Sequence, residues 1–295
     1  MTNADGTNSI SLNQQTAHIV EPEDISIVMA VYNHEYTVAE AIESALMQEM
    51  PYRSVIYCLN DASTDKSAEI LSAYEEKYPD RIKVYTSPKN LGSGKKSFLY
   101  HRPPVKGRYW CLLAGDDYWT SRDKLAQQIA FLDAHHDYAG CSCNTLARNE
   151  MTGEERIIAP ARNTWNLLDL LLRTCPLYVH TSSVVWRNIY LDQGFFLPPA
   201  FKKKFARGDV VLMHAMLSKG GKVQNIPEVM ACYRVTGRGV WSSLSAKDQV
   251  ESYKNLVPKM IRQATPIKYK IFVSMQNLRR HSRILRNLIP GPVNG

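Results

Sequence analysis

No stretch of this 295-residue chain approaches the run of about 20 apolar residues that a membrane-spanning helix requires. Residues 1–24 are polar and lack the basic start and apolar run of about 7–15 residues of a secretory leader. They are expected to form a flexible lead-in, and the chain to be soluble or peripheral to a membrane. No C-x-x-C pair occurs among the six cysteines, at 58, 111, 141, 143, 175 and 232. That argues against a zinc site or a disulfide scaffold and for reduced, buried thiols in a cytoplasmic compartment. No internal repeat or low-complexity tract stands out.

Acidic residues are scarce in one place. Residues 246–295 carry ten Lys or Arg side chains against only Asp248 and Glu251, so the whole net charge of +8 resides in this tail. Residues 265–289 are expected to form a helix, with Thr265 able to cap it, Pro266 suited to its first turn and Pro290-Gly291 stopping it. Ile267, Ile271, Met275, Leu278, Leu285 and Ile289 make one apolar stripe, and Lys268, Arg279, Arg283 and Arg286 lie towards the other side. This pattern suits the surface of an anionic membrane, with packing on the globular body or a partner subunit as the alternative. Nucleic-acid binding through the tail fits less well, because the body is electrically neutral and the arginines lie opposite a regular apolar stripe.

What is present is ordinary for a globular protein: 44% hydrophobic and 22% charged residues. The length suits one large domain or two small ones. The first half alternates strand and helix signals. "ISIVMAVY" (25–32), "SVIYCL" (54–59), "RIKVYT" (81–86), "RYWCLLA" (108–114) and "YAGCSC" read as strands. The first of these is a continuous β-branched run, expected of a strand covered on both faces. Between them, "TVAEAIESALMQ", with Thr37 as N-cap, "STDKSAEILSAYEEKY" and "SRDKLAQQIAFLDAHH" have helical periodicity. After residue 150 the pattern is less regular: "NTWNLLDLLLR" (163–173) and "GDVVLMHAMLSK" (208–219) read as helices, "SSVVW" and "NIPEVMACYRV" (225–235) as strands. Such alternation predicts an α/β fold with a mainly parallel, Rossmann-like central sheet flanked by helices, followed by the helical extension.

Ligands bind beyond the carboxyl ends of parallel strands. Three polar clusters fall there: "NHE" (33–35), "NDASTD" (60–65) and "GDD" (115–117). The adjacent carboxylates Asp116 and Asp117 repel one another and need a positive partner. They suit a divalent ion held by one or two protein oxygens and a substrate diphosphate, or else a solvated turn. Asp65 fits a helix cap or first turn, whereas Asp61 is placed to accept hydrogen bonds from a base or ribose. "NLGSGKK" (90–96) offers glycines and lysines near a helix start, a mild phosphate signal. Asp209 alone reads as a helix N-cap and His180 as a structural histidine.

Taken together, "SIVMAVYNHEYTVAEAIESALMQ", "LNDASTDKS", "PKNLGSGKK" and "LLAGDD" resemble the family 2 glycosyltransferases, which have the GT-A nucleotide-sugar fold. The resemblance continues through "HTSSVVWR", "GDVVLMHAM" and "YRVTGRGVWSS", covers about residues 25–245, and points to the branch that builds bacterial surface polysaccharides. It implies a nucleotide-sugar-binding half over 25–145, an acceptor-binding half with the catalytic base over 146–245, and the basic extension over 246–295. By resemblance, Ala30, Tyr32 and Glu35 line the nucleotide pocket and Asp61 binds the base, usually uracil. Lys95 or Lys96 lies near the diphosphate, Asp116 touches ribose or donor sugar, Asp117 ligates Mn²⁺ or Mg²⁺, and Asp209 is the catalytic base. His180, Arg234 and Trp241 are acceptor-binding candidates. The chain departs from the family pattern with Asn60, often Asp, and Ala62, often Gly, and it has no clear Q-x-x-R-W motif of a processive synthase. The implied activity is inverting transfer of a sugar from a nucleoside diphosphate sugar to a saccharide or lipid-linked saccharide. Its expected place is the cytoplasm, peripherally on the inner face of the membrane, with homo-oligomerisation left open. A sugar nucleotidyltransferase, the alternative enzyme, would show a Gly-rich signature after the first strand where this chain has "AVYNHE".

The tail yields a first prediction. The full chain co-sediments with anionic vesicles in a salt-sensitive manner, and a chain ending at Ala246 does not; equal, salt-insensitive partitioning of the two would exclude the membrane role.

Overall fold

A computed structural model describes residues 23–92, 98, 101–172, 179–189 and 208–237. The chain forms β1 (Ile25–Val31), α1 (Val38–Leu46), β2 (Ser54–Asn60), α2 (Ser67–Lys77), β3 (Ile82–Thr86), β4 (Tyr109–Ala114) and β5 (Tyr118–Trp119). There follow α3 (Lys124–Ala134), β6 (Tyr138–Asn149), β7 (Glu155–Ile158), β8 (Thr164–Asn166) and α4 (Leu167–Leu172). A 3₁₀ turn (Thr181–Ser183), β9 (Val185–Arg187), α5 (Gly208–Ser218) and β10 (Lys222–Val235) complete the described fold. Lys95, Lys96, Cys175, Trp241 and the tail helix over 265–289 lie outside the described residues.

All ten strands join one sheet, whose main path runs β3-β2-β1-β4-β9-β6-β10-β5. β1 pairs in parallel with both β2 and β4, and β2 with β3. β9 is antiparallel to β4 and to β6, and β6 is parallel to β10. Two reversals restore the direction, so β1, β2, β3, β4, β6 and β10 all point the same way. The mainly parallel sheet is as expected, and its consequence is functional: the C-terminal ends of these strands share one rim.

Strand alternation explains the two cores. Ile25, Ile27, Met29 and Val31 of β1 and Tyr109, Cys111 and Leu113 of β4 project to one face. There they meet Val38, Ala41, Ile42 and Ala45 of α1, Leu71 of α2, and Leu125, Ile129 and Leu132 of α3. Each valine, leucine, isoleucine or methionine among them contributes about 1.5–3 kcal/mol when fully buried. The other face carries Val28, Leu59, Trp110 and Trp186, covered by Leu170 of α4 and Met213, Met216 and Leu217 of α5. Helices on both faces are what the continuous apolar strands require. Cys58, Cys111, Cys141, Cys143 and Cys232 are buried, free thiols.

Three local expectations are corrected. Thr37 occupies the N-cap position of α1 but makes no capping bond; its hydroxyl donates to the Gly115 carbonyl at 2.9 Å. A tertiary acceptor has displaced a local one. The helix expected from 163 begins only at Leu167, because Thr164–Asn166 pair with Lys222–Gln224 of β10. The Asn166 carboxamide oxygen then accepts from the Leu168 N–H at 2.8 Å and caps α4. The strand expected from 225 starts at Lys222, where the same pairing extends it.

Lys124, at the start of α3, is fully buried. Its Nζ lies 4.4 Å from the Trp119 ring centroid and donates to Gln128 Oε1 at 2.7 Å. Burial pulls its ammonium below the ordinary lysine range. The unfolded chain therefore binds more protons than the folded one between the folded pKa and about 10.4, and through that window the contribution of Lys124 to stability rises with pH. In urea unfolding of wild type and Lys124→Met, the difference is expected to move in favour of wild type as pH is raised from about 7 to about 10. A constant difference would show that Lys124 titrates normally.

Candidate active site

The rim is built from three strand ends in register. Val31 of β1 pairs with Asn60 of β2, and Ala30 with Ala114 of β4. The NHE and NDASTD clusters are consequently side by side and are stitched together by hydrogen bonds. Asn33 Oδ1 accepts from the Thr64 N–H at 2.8 Å, Ser67 Oγ from the His34 N–H at 2.8 Å, and Asp65 Oδ2 from the Glu35 N–H at 3.0 Å. Glu35 Oε2 in turn accepts from the Lys66 N–H at 3.3 Å. Hydrogen bonds from Ser67 and Glu35 hold the Asp65 carboxyl below its ordinary range, overcoming its partial burial. Asn33 and Ala62 both adopt positive φ, at 55° and 56°. For Ala62 this left-handed backbone costs about 1–2 kcal/mol, which explains why glycine is frequent there in the family that the motifs resemble.

Asp61, the residue after β2, is buried. Its Oδ1 accepts from the Leu91 N–H at 2.8 Å and its Oδ2 from the Gly92 N–H at 3.0 Å. The carboxylate thus anchors the segment that leads to Lys95 and Lys96. Each oxygen retains a second lone pair for a ligand donor. Ala30 is partly buried at the end of β1, Tyr32 is exposed at the rim, and Glu35 is partly buried.

β4 ends in the Asp116-Asp117 turn. Gly115 is required there: a Cβ would lie 2.7 Å from His34 Nδ1 and 3.0 Å from Val31 Cγ2. Asp117 is only 1% exposed, and its Oδ2 accepts from Ser182 Oγ at 2.7 Å while its Oδ1 accepts from the Arg234 N–H at 3.3 Å. Burial and the charge of Asp116 raise its carboxyl well above the ordinary range, against the opposing effect of Ser182 and Arg234. His180 stacks on Tyr233 at 4.4 Å and 25°, with Nδ1 3.7 Å from Asp117 Oδ2. His34 Nε2 lies 3.8 Å from Asp116 Oδ2.

Arg234 approaches from β10. Its guanidinium lies 4.3 Å from the Tyr118 ring centroid, donates to the Asp116 carbonyl at 3.1 Å and pairs with Glu40 of α1. Glu150, beyond β6, is 3.3 Å from its Nε. Among the described residues, two acids therefore pair with the cation nearest the Asp pair, and the Asp pair is left short of positive charge. Two hard carboxylates in that condition fit Mg²⁺ or Mn²⁺, which take oxygen ligands and share their shell with phosphates. Among the described residues no group of three or more His, Cys, Asp or Glu is arranged to hold a metal alone.

Asp209 lies in the first turn of α5. The connection between Ser218 and Lys222 joins α5 to β10, which carries Arg234 next to its last residue, Val235. Asp61, Asp116, Asp117, His180 and Arg234 are thus brought to one end of the sheet. Glu40, Tyr118, Glu150 and Ser182, which build the surroundings of the Asp pair, were not singled out in the sequence. Glu40, inside "SIVMAVYNHEYTVAEAIESALMQ", and Ser182, inside "HTSSVVWR", lay in motifs with a functional signal.

Comparison with known proteins agrees with the fold. The Glycosyl transferase family 2 model matches residues 26–191. An uncharacterized protein of Mycobacterium tuberculosis, Rv1520, is 28% identical over 223 residues, covering 74% of this chain and 61% of the relative. The chain thus spans 61% of the length of that relative. The UDP-Glc:alpha-D-GlcNAc-diphosphoundecaprenol beta-1,3-glucosyltransferase WfaP of Escherichia coli is 26% identical, covering 83% of this chain and 86% of the relative. Among solved structures, TarS of S. aureus (residues 1–349, with UDP-GlcNAc) has a TM-score of 0.60 at 19% identity, covering 88% of this chain and 72% of that one. The mannosyltransferase PcManGT of Pyrobaculum calidifontis, with GDP-Man and Mn²⁺, has a TM-score of 0.55 at 16% identity, covering 86% and 69%. At these identities the structures establish the shared GT-A fold.

The Arg234 arrangement makes a prediction of its own. A lysine ammonium cannot stack on Tyr118 and bridge three acceptors in one plane. Arg234→Lys is expected to lower stability by about 1–2 kcal/mol, measured by urea unfolding. An unchanged midpoint would show that these contacts contribute nothing net.

Proposed function

Because the chain belongs to glycosyltransferase family 2, we propose that it moves a sugar from a nucleoside diphosphate sugar, a UDP-sugar first among them, onto a hydroxyl of a saccharide or lipid-linked saccharide during bacterial surface-polysaccharide synthesis. The observation that carries this reading is the buried, under-neutralised Asp117 beside Asp116 on the rim shared by β1, β2 and β4. The UDP-Glc and diphosphoundecaprenol in the name of the WfaP relative support both the donor class and a lipid-linked acceptor. The UDP-GlcNAc complex of TarS supports the donor class.

In this reading Ala30, Tyr32 and Glu35 line the nucleotide pocket, Asp61 takes the base, and Asp116 takes ribose or donor sugar. Lys95 and Lys96 are assigned to the diphosphate. A bound Mn²⁺ or Mg²⁺ at Asp117 would act as a Lewis acid that neutralises the departing diphosphate. Asp209 accepts the proton of the acceptor hydroxyl as that oxygen attacks the anomeric carbon from the face opposite the diphosphate. One displacement inverts the anomeric configuration. His180 and Trp241 are assigned to the acceptor side. Arg234 is assigned there too, acting by holding Glu40, Glu150 and the Asp116 carbonyl in place. No helix among the described residues is long and apolar enough to cross a membrane. The basic tail is the proposed means of reaching a lipid-linked acceptor, at the inner face of the membrane.

The test is a thermal-stabilisation screen across nucleotide sugars with and without Mn²⁺, followed by transfer assays. UDP with Mn²⁺ is expected to stabilise wild type, and Asp117→Asn to lose the metal-dependent part. Asp209→Asn should retain donor binding while transfer falls by about 10²–10⁴-fold. Retained turnover in that variant removes Asp209 from its role, and stabilisation by oligonucleotide alone removes the whole reading.

A further inference from the structure

We infer that Ser182 is a positioning residue that sets the direction of the Asp117 carboxylate towards the cation; this rests on the proposal that Asp117 holds a divalent ion. An ion that shares its shell with a diphosphate takes only one or two protein oxygens, so the orientation of a single carboxylate decides whether the site forms. The terminal torsion of an aspartate is broad when nothing fixes it. Here two donors fix it from opposite elements: the Ser182 hydroxyl at Oδ2, 2.7 Å away, and the Arg234 N–H at Oδ1, 3.3 Å away.

The turn that carries Ser182 is itself tethered from inside the core. Trp119 Nε1 donates to the Ser182 carbonyl at 2.8 Å, and Gln128 Nε2 donates to the Ser183 carbonyl at 2.8 Å and the Cys141 carbonyl at 2.7 Å. Gln128 Oε1 is in turn the acceptor for the buried Lys124 Nζ. Ser183 Oγ closes the turn on the His180 carbonyl at 2.7 Å. Ser182 and Ser183 are wholly inaccessible to solvent, as are Lys124 and Gln128. Polar chains of this kind are costly in a core unless every member is satisfied, and an apolar turn would have packed with less desolvation. These bonds end at the buried Ser182 hydroxyl that faces Asp117. Loss of such an outer partner of a metal ligand typically lowers metal affinity by about 10–100-fold.

The experiment uses the full chain as wild type, Ser182→Ala and Trp119→Phe. Mn²⁺ binding in the presence of UDP is followed by electron paramagnetic resonance, UDP affinity in EDTA by calorimetry, and folding by thermal unfolding. Ser182→Ala is expected to bind Mn²⁺ about 10-fold or more weakly, with metal-free UDP affinity unchanged. Trp119→Phe, which keeps the hydroxyl but frees the turn, is expected to shift Mn²⁺ affinity in the same direction by less. Wild-type Mn²⁺ affinity in Ser182→Ala overturns the inference, as does a parallel loss of metal-free UDP affinity, which marks general distortion. Failure of wild type itself to hold Mn²⁺ with UDP is a separate result, which removes the metal reading and the inference with it.

Discussion

A carboxylate taken out of water beside a second carboxylate is the constraint around which this molecule is arranged. Burial and like charge both favour the protonated form of Asp117, and neutral hydrogen-bond donors offset only part of that cost. The nearest guanidinium among the described residues would complete the compensation if it were free. The Arg234 guanidinium instead pairs with Glu40 and Glu150 and reaches the Asp pair through the Asp116 carbonyl, while its backbone N–H donates to Asp117. Among the described residues the site therefore keeps a deficit of positive charge at the point where the proposed donor would bring a diphosphate and its cation.

Strand direction delivers the groups that share this site. Six strands with a common direction bring their carboxyl ends to one rim, and the β1–β2 and β1–β4 registers place the three polar clusters at the same height. The loops at that rim are rigidly built. Side chains of Asn33, Ser63, Asp65 and Ser67 satisfy backbone N–H groups across the gap between β1 and β2. The positive φ of Asn33 and Ala62 is the strain accepted in return. Gly115 lets β4 approach His34 closely enough to complete the rim.

How much of this was legible depends on the range of the interactions. β1, β2 and β4 were visible because strands covered on both faces are continuous apolar runs. The helices α1 and α3 were visible from their apolar spacing. β5, β7 and β8 were not, being two to four residues long with no period to read. The Thr37 cap failed because the carbonyl of Gly115 competes for its hydroxyl, a partner 78 positions away in the chain. Arg234 was legible as an acceptor-binding candidate, but its partners Glu40 and Glu150 were not, because they are distant in sequence.

By itself the sequence determined the alternation of strands and helices, the identity of the carboxylates at the strand ends and the concentration of positive charge in the tail. These are local properties, set by side-chain period and composition. Only the tertiary structure decided which carboxylate is buried, which cation is already neutralised and which hydroxyl orients Asp117. Those outcomes depend on solvent exclusion and on contacts between residues 65 to 194 positions apart, and neither quantity exists until the chain has folded.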